Sequence, residues 1–149
     1  MRRSRQIVLA LALAVGAAAC DEKLTSIAGP TPNLEPTFAS LQANVFEATD
    51  SSGRSSCVAC HTNVGRTPAG GLNLLHDAAY DQLVNVSSTQ VPLLKRVNPG
   101  SPDTSYLVHK VDGRPGIVGT RMPRNGPPYM TDGQILILRR WIELGAPRN

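Results

Sequence analysis

Aromatic side chains are scarce in this chain: of 149 residues, two are Phe, three Tyr and one Trp. With loops rich in Gly and Pro, that leaves a thin apolar core for a domain of this size. A large apolar ligand would complete such a core. No segment shows sustained period-two alternation, so no sheet is expected. The signatures G-x-S-x-G and H-E-x-x-H and the phosphate-binding loop are missing as well, which leaves no familiar catalytic grouping. The uncharged apolar run Ile7 to Ala19 has thirteen residues, short of the roughly 20 that a helix needs to cross a bilayer.

Cysteine and histidine are rare too, three of each, yet three of these six stand together as Cys57-Val-Ala-Cys60-His61. A C-x-x-C-H run is the attachment signature of a c-type haem. Two thiols add across the vinyl groups of the porphyrin, and the two-residue spacer sets their separation. The adjacent histidine then lies beneath the macrocycle, where its imidazole binds iron as the proximal ligand. The plainer readings are a disulfide, a redox dithiol or half of a zinc site. A zinc site needs a second ligand pair, for which the chain offers only His76, His109 and Cys20. A thioredoxin-like dithiol needs a βαβ context, and the sequence has none. The motif predicts one covalent haem c, held by Cys57 and Cys60, with His61 on the iron.

The amino terminus says where attachment takes place. Arg2, Arg3 and Arg5 precede the apolar run, which ends in small residues, Gly16-Ala-Ala-Ala19. That is the pattern of an export signal over residues 1–19. Ala17-Ala18-Ala19-Cys20 resembles the bacterial lipobox, in which the cysteine is lipidated and becomes the mature N-terminus, although Ala17 stands where Leu is usual. Cleavage at the A-x-A site without lipidation is the plainer alternative. The lipidated form is expected outside the cytoplasm, anchored to a membrane. Export also changes the charge balance. The full chain carries fifteen Lys and Arg against eleven acids, and loss of three arginines leaves twelve against eleven. The basic excess belongs to the leader and gives no support to nucleic-acid binding.

Residues 20–36 hold three prolines among polar residues without periodicity, the composition of a flexible linker. Fully extended, it would hold the following domain up to about 50 Å from a membrane surface. Residues 37–149 read as one domain. A first helix is expected from Phe38 to Ala48 with Thr37 as N-cap, and Phe38, Leu41 and Val45 give it an apolar face. Further helices are expected from Asp77 to Val84, and from Thr104 to Val111 with Asp103 as cap. The clearest helix follows Thr131-Asp-Gly-Gln134, a capping box. Its run Ile135 to Leu144 is apolar on most of its circumference, so it should be largely buried, ending at Gly145 before Pro147.

Small electron-carrying cytochromes take Met or His as the sixth iron ligand, and the candidates are Met122, Met130, His76 and His109. Met122 lies in the loop Gly119-Thr-Arg-Met-Pro-Arg-Asn-Gly126, stiffened by Pro123. That placement suits a ligand reaching the distal face. Met130 precedes a helix cap, where a residue more often packs as a hydrophobic staple. His76 and His109 read more simply as surface or capping residues. Met122 is the preferred ligand.

The order of first helix, C-x-x-C-H, Met-Pro loop and closing helix resembles class I cytochrome c. Val97-Asn-Pro-Gly-Ser-Pro-Asp-Thr-Ser-Tyr-Leu-Val108, Arg121-Met-Pro123, Gly126-Pro-Pro128 and Trp141-Ile-Glu-Leu-Gly-Ala146 resemble, more narrowly, short monohaem domains of bacterial envelope proteins. The resemblance covers about residue 37 to the end and implies an all-α cytochrome c fold. It implies thioether bonds at Cys57 and Cys60, and axial bonds from His61 and Met122. The spacing from His61 to Met122 is long for the smallest members, with the helix near 77–84 in the insertion. A His/Met iron has a comparatively high potential and no open position, so the expected role is electron transfer rather than catalysis. Partners would be redox proteins of an envelope chain, docking through small transient interfaces near a rim that includes Arg66, Arg121 and Arg124. The alternatives are an accessory haem subunit docked on a larger oxidoreductase, and a haem enzyme or gas sensor whose sixth ligand is displaceable.

Overall fold

A computed structural model describes residues 29–149. The expected signal peptide, the lipidation site Cys20 and the first half of the linker lie outside the described residues. Among the described residues four α-helices carry the fold: α1 (Phe38–Leu41), α2 (Ala79–Leu83), α3 (Tyr106–Asp112) and α4 (Asp132–Glu143). Short 3-10 turns cover Cys57–Ala59, Ala69–Gly71 and Pro102–Thr104. Among the described residues there is no strand, only the isolated bridges Val84–Val97, Ser87–Lys95 and Lys95–Ser105. The described residues are all-α, as the lack of alternation implies. No described helix is long and apolar enough to cross a membrane.

Helix α1 starts where expected, with the Thr37 hydroxyl accepting the Ser40 N–H at 3.2 Å. It passes directly into a π-helical turn, Gln42–Phe46, and stops two residues short of Ala48. Phe38, Leu41, Val45 and Phe46 are all buried. Helix α4 carries the full capping box: Thr131 Oγ1 accepts from Gln134 N at 3.2 Å, and Gln134 Oε1 accepts from Thr131 N at 3.0 Å. Such a cap stabilises a helix by about 1 kcal/mol. Ile135, Leu138, Trp141 and Ile142 are buried, but Leu136 is 55% exposed. The helix therefore buries one face rather than most of its circumference, because no described segment covers its outer side.

Three of the six aromatic rings meet at one junction. Phe38 of α1 meets Tyr80 of α2 edge-on at 5.1 Å and Trp141 of α4 at 5.8 Å, joining three helices where ring pairs add to simple area burial. Gly145, at φ 94°, turns the chain back after α4. The tail then satisfies buried donors, with Trp141 Nε1 donating to Pro147 O at 2.9 Å. Asn149 accepts the Phe38 and Ala39 N–H groups at the start of α1.

Two further expectations about this region of the fold are corrected. The end of the supposed linker is part of the domain: Leu34 is 3% exposed in the core, Pro30 O accepts from Ser51, and Thr31 accepts from Gln134. One apolar residue among prolines suffices to dock this segment. Helix α3 begins after Ser105, not after Asp103. The Asp103 carboxylate instead faces Arg139 at 3.0 Å and Arg114 at 3.7 Å.

Candidate functional site

The loop between the first helical segment and the cysteine motif is organised by one buried carboxylate. Asp50 Oδ1 accepts the Ser52 N–H, the Ser52 hydroxyl and the Arg54 N–H at 3.0, 2.6 and 3.2 Å. Its Oδ2 accepts from Arg54 Nε at 3.0 Å and Gln134 Nε2 at 3.2 Å. Burial alone would raise the Asp50 pKa, but the bonds from Ser52, Gln134 and Arg54 and the guanidinium charge outweigh it. They hold the carboxyl at about 2. Arg54 is itself 1% exposed, and its Nη1 donates to Val45 O and Ser55 O. This buried pair delivers the chain to Cys57.

Cys57–Ala59 form a 3-10 turn, closed by the Cys60 and His61 N–H groups on Cys57 O at 3.2 and 3.0 Å. Both thiols are free, Cys57 half-buried and Cys60 exposed. The Cys57 Sγ–H reaches Val45 O at 3.5 Å. Burial pushes the Cys57 thiol up to about 11 against the opposing charge of Arg54. That is the reverse of the lowered pKa on which a thiol–disulfide exchange centre depends. No group of three or more His, Cys, Asp or Glu among the described residues could hold a metal ion; Cys20 lies outside them.

His61 is oriented by its own backbone. Its Nδ1 lies 2.9 Å from Ala69 O, and a carbonyl can only accept, so Nδ1 carries the proton and Nε2 keeps its lone pair. The carbonyl is fixed in turn by the Ala69 N–H on Cys60 O at 3.1 Å, and Leu74 N–H closes on His61 O at 2.8 Å. Burial lowers the His61 pKa. The charges of Arg96 and Lys110 also lower it, against the backbone bonds at Ala69 and Leu72. The ring is neutral and single-tautomer, the form in which a histidine ligates a metal.

These residues line a cavity of about 510 Å³, within the roughly 300–1,000 Å³ of ligand-binding pockets. Cys57, Cys60, His61 and Met122 all border it, with Leu72, Leu74, Leu83, Leu107 and Val111 supplying apolar wall. Met130 borders it too, but is only 4% exposed and belongs to the hydrophobic core. His76 and His109 are not in the wall; His109 Nε2 lies 2.7 Å from Asp103 O.

The Met122 loop is held from several sides. Met122 N donates to Lys110 O at 2.7 Å. Lys110 Nζ donates to Val118 O at 2.9 Å and Thr120 O at 2.7 Å. Tyr106 OH accepts the Val118 N–H at 2.9 Å. Asn125 Nδ2 reaches Ser55 Oγ at 2.7 Å, tying this loop to the segment that enters the cysteine motif. Arg66 and Arg124 are exposed at the cavity wall. Arg121 does not belong with them: it donates to Val111 O and Met130 O and lies 4.5 Å over the Tyr129 ring, so it braces the loop from behind.

Sequence reasoning did not single out Asp50, Arg54, Arg96 or Lys110. Asp50 and Arg54 carry an i, i+4 charge spacing, but nothing in the local sequence marks the pair as buried. Arg96 has no local signal at all. Compared with known proteins, the chain matches no family model, no curated protein and no solved structure.

Proposed function

We propose that this chain is a one-electron carrier built on a cytochrome c-type domain, working outside the cytoplasm and tethered to a membrane through a lipid on Cys20. Cys57 and Cys60 would hold one haem c by thioether bonds, and His61 and Met122 would ligate its iron. The observation that carries this reading is the His61 ring, whose Nδ1–H is committed to Ala69 O at 2.9 Å, in the wall of the cavity that both thiols and Met122 also border.

The residues fit the group. Two free thiols at the C-x-x-C spacing flank a neutral imidazole with an available lone pair, and a thioether approaches on a braced loop. The group, when bound, supplies an iron that cycles between ferrous and ferric states. The protein's part would be to hold the imidazole of His61 and the thioether of Met122 in place for that iron. Ala69 O holds the imidazole plane, Lys110 holds the backbone of Met122, and the leucines of the wall exclude water. A thioether is a neutral, soft donor that favours the ferrous state, so the potential is high among c-type haems. With His61 and Met122 both committed to the iron, the role would be electron transfer rather than substrate chemistry.

Spectroelectrochemical titration of the matured protein tests this. A reversible one-electron wave, with a reduced form that does not bind carbon monoxide, is expected. Rapid carbon monoxide binding would replace this reading with that of an enzyme or gas sensor.

A further inference from the structure

The cavity wall is electrostatically one-sided. Arg54, Arg66, Arg96, Lys110 and Arg124 border it, and among the described residues no Asp or Glu does. The other ionisable groups in the wall are Cys57, Cys60, His61 and Tyr106. Arg66 and Arg124 are solvated at the surface, and Arg54 is answered by Asp50 immediately behind it. Arg96 and Lys110 differ from these three. They are 9% and 8% exposed, and neither forms an ion pair among the described residues.

Each is solvated only by carbonyls: Arg96 donates to Gln82 O at 2.9 Å and Gly71 O at 3.1 Å, and Lys110 to Val118 O and Thr120 O. Carbonyl dipoles replace lost hydration but bring no opposite charge, and a buried cation without a counter-charge is costly. Two unanswered buried cations around an apolar cavity call for an apolar ligand with two anionic groups.

We propose that Arg96 and Lys110 are the carboxylate-binding residues of this site, each pairing with one of the two propionates of the haem. The assignment rests on the haem reading of the preceding section and deepens it. It gives the cavity a second recognition element besides the iron ligands and sets which way round the macrocycle sits. It also explains why a mostly apolar pocket retains two buried cations that an apolar residue could replace more cheaply. In this arrangement their pairing keeps both carboxylates ionised and the potential insensitive to pH.

The test compares the reduction potential of the matured protein across the neutral pH range with that of Arg96→Gln, Lys110→Gln, Arg96→Lys, Lys110→Arg and the surface control Arg66→Gln. A carboxylate that has lost its cation titrates near neutrality. Arg96→Gln and Lys110→Gln are therefore expected to lower the potential and make it fall as pH rises. The charge-conserving variants and Arg66→Gln are expected to keep the flat profile of the wild type. A cation that only braces a loop would not generate a new redox-linked titration, so flat profiles in both Gln variants would overturn the assignment. A crystal structure of the matured wild type is a second, variant-free measurement. Both carboxylates in ion-pair reach of Arg96 and Lys110 support the assignment, and carboxylates in solvent or on Arg66 and Arg124 overturn it. A wild-type protein without covalent haem would overturn the preceding reading instead, and its mass reveals this before any variant is compared.

Discussion

Replacing Asp50 by Ala should destabilise the domain more than any other single change in the approach to the cysteine motif. The substitution removes five hydrogen bonds at once and leaves the Arg54 guanidinium, 1% exposed, without its partner. Breaking a buried ion pair by deleting one member costs about 3–5 kcal/mol, a large share of the roughly 5–15 kcal/mol of a typical domain. Guanidinium unfolding of the matured protein, followed by fluorescence of its single Trp, gives the value. The double variant Asp50→Ala with Arg54→Leu should recover part of the loss, because no uncompensated charge is left inside. The same carboxylate sets an acid limit. Its pKa is about 2 when folded against 3.8 ordinarily, so between those values the unfolded chain binds more protons and stability rises with pH. About 2 kcal/mol is present above pH 4 and lost as pH falls from 3.8 toward 2; Asp50→Asn should abolish that acid-dependent portion. A loss below about 1 kcal/mol in Asp50→Ala, with no recovery in the double variant, would refute the reasoning.

Met122→Ala should abolish the weak far-red sulfur-to-iron band of the oxidised protein and open the iron to added imidazole, whereas Met130→Leu should keep the band and alter stability only; loss of the band in Met130→Leu would reverse the ligand assignment. Gly113→Ala and Gly116→Ala both place a side chain at positive φ, but only at Gly113 would the new Cβ come within 2.8 Å of Arg121. Both should lose about 1 kcal/mol for the left-handed backbone, and denaturant unfolding should show Gly113→Ala losing roughly as much again as Arg121 is pushed off the carbonyls of Val111 and Met130. Cys20→Ser should release the protein from the membrane fraction with an unchanged visible spectrum; a wild-type protein already soluble with an unmodified Cys20 would contradict the anchor.

The parts of the fold set by local chemistry were legible in the sequence. The Thr131–Gln134 box and the Thr37 cap are satisfied within a few residues, so pattern alone locates α4 and the start of α1. The C-x-x-C-H spacing likewise places Cys57, Cys60 and His61 in one turn without any tertiary information. What was not legible depends on partners far away in sequence. Asp103 has the side chain of a cap, yet Arg139 on α4 and Arg114 claim it, and α3 starts two residues later. Leu34 reads as linker because its neighbours are prolines, and only the assembled core gives it somewhere to go. Arg96 and Lys110 are invisible as site residues for the same reason. Their meaning lies in a cavity that exists only once His61, α3 and the Met122 loop have come together.

The central claim is covalent haem on Cys57 and Cys60, and the mass of the denatured protein tests it most directly. The chain would be produced in cells that carry the haem-attachment machinery, extracted with acid and organic solvent, and weighed intact. The account predicts the processed chain plus one haem, with the addition impaired in Cys57→Ala and in Cys60→Ala. A chain at its bare polypeptide mass, with the pigment left in the solvent, would contradict it.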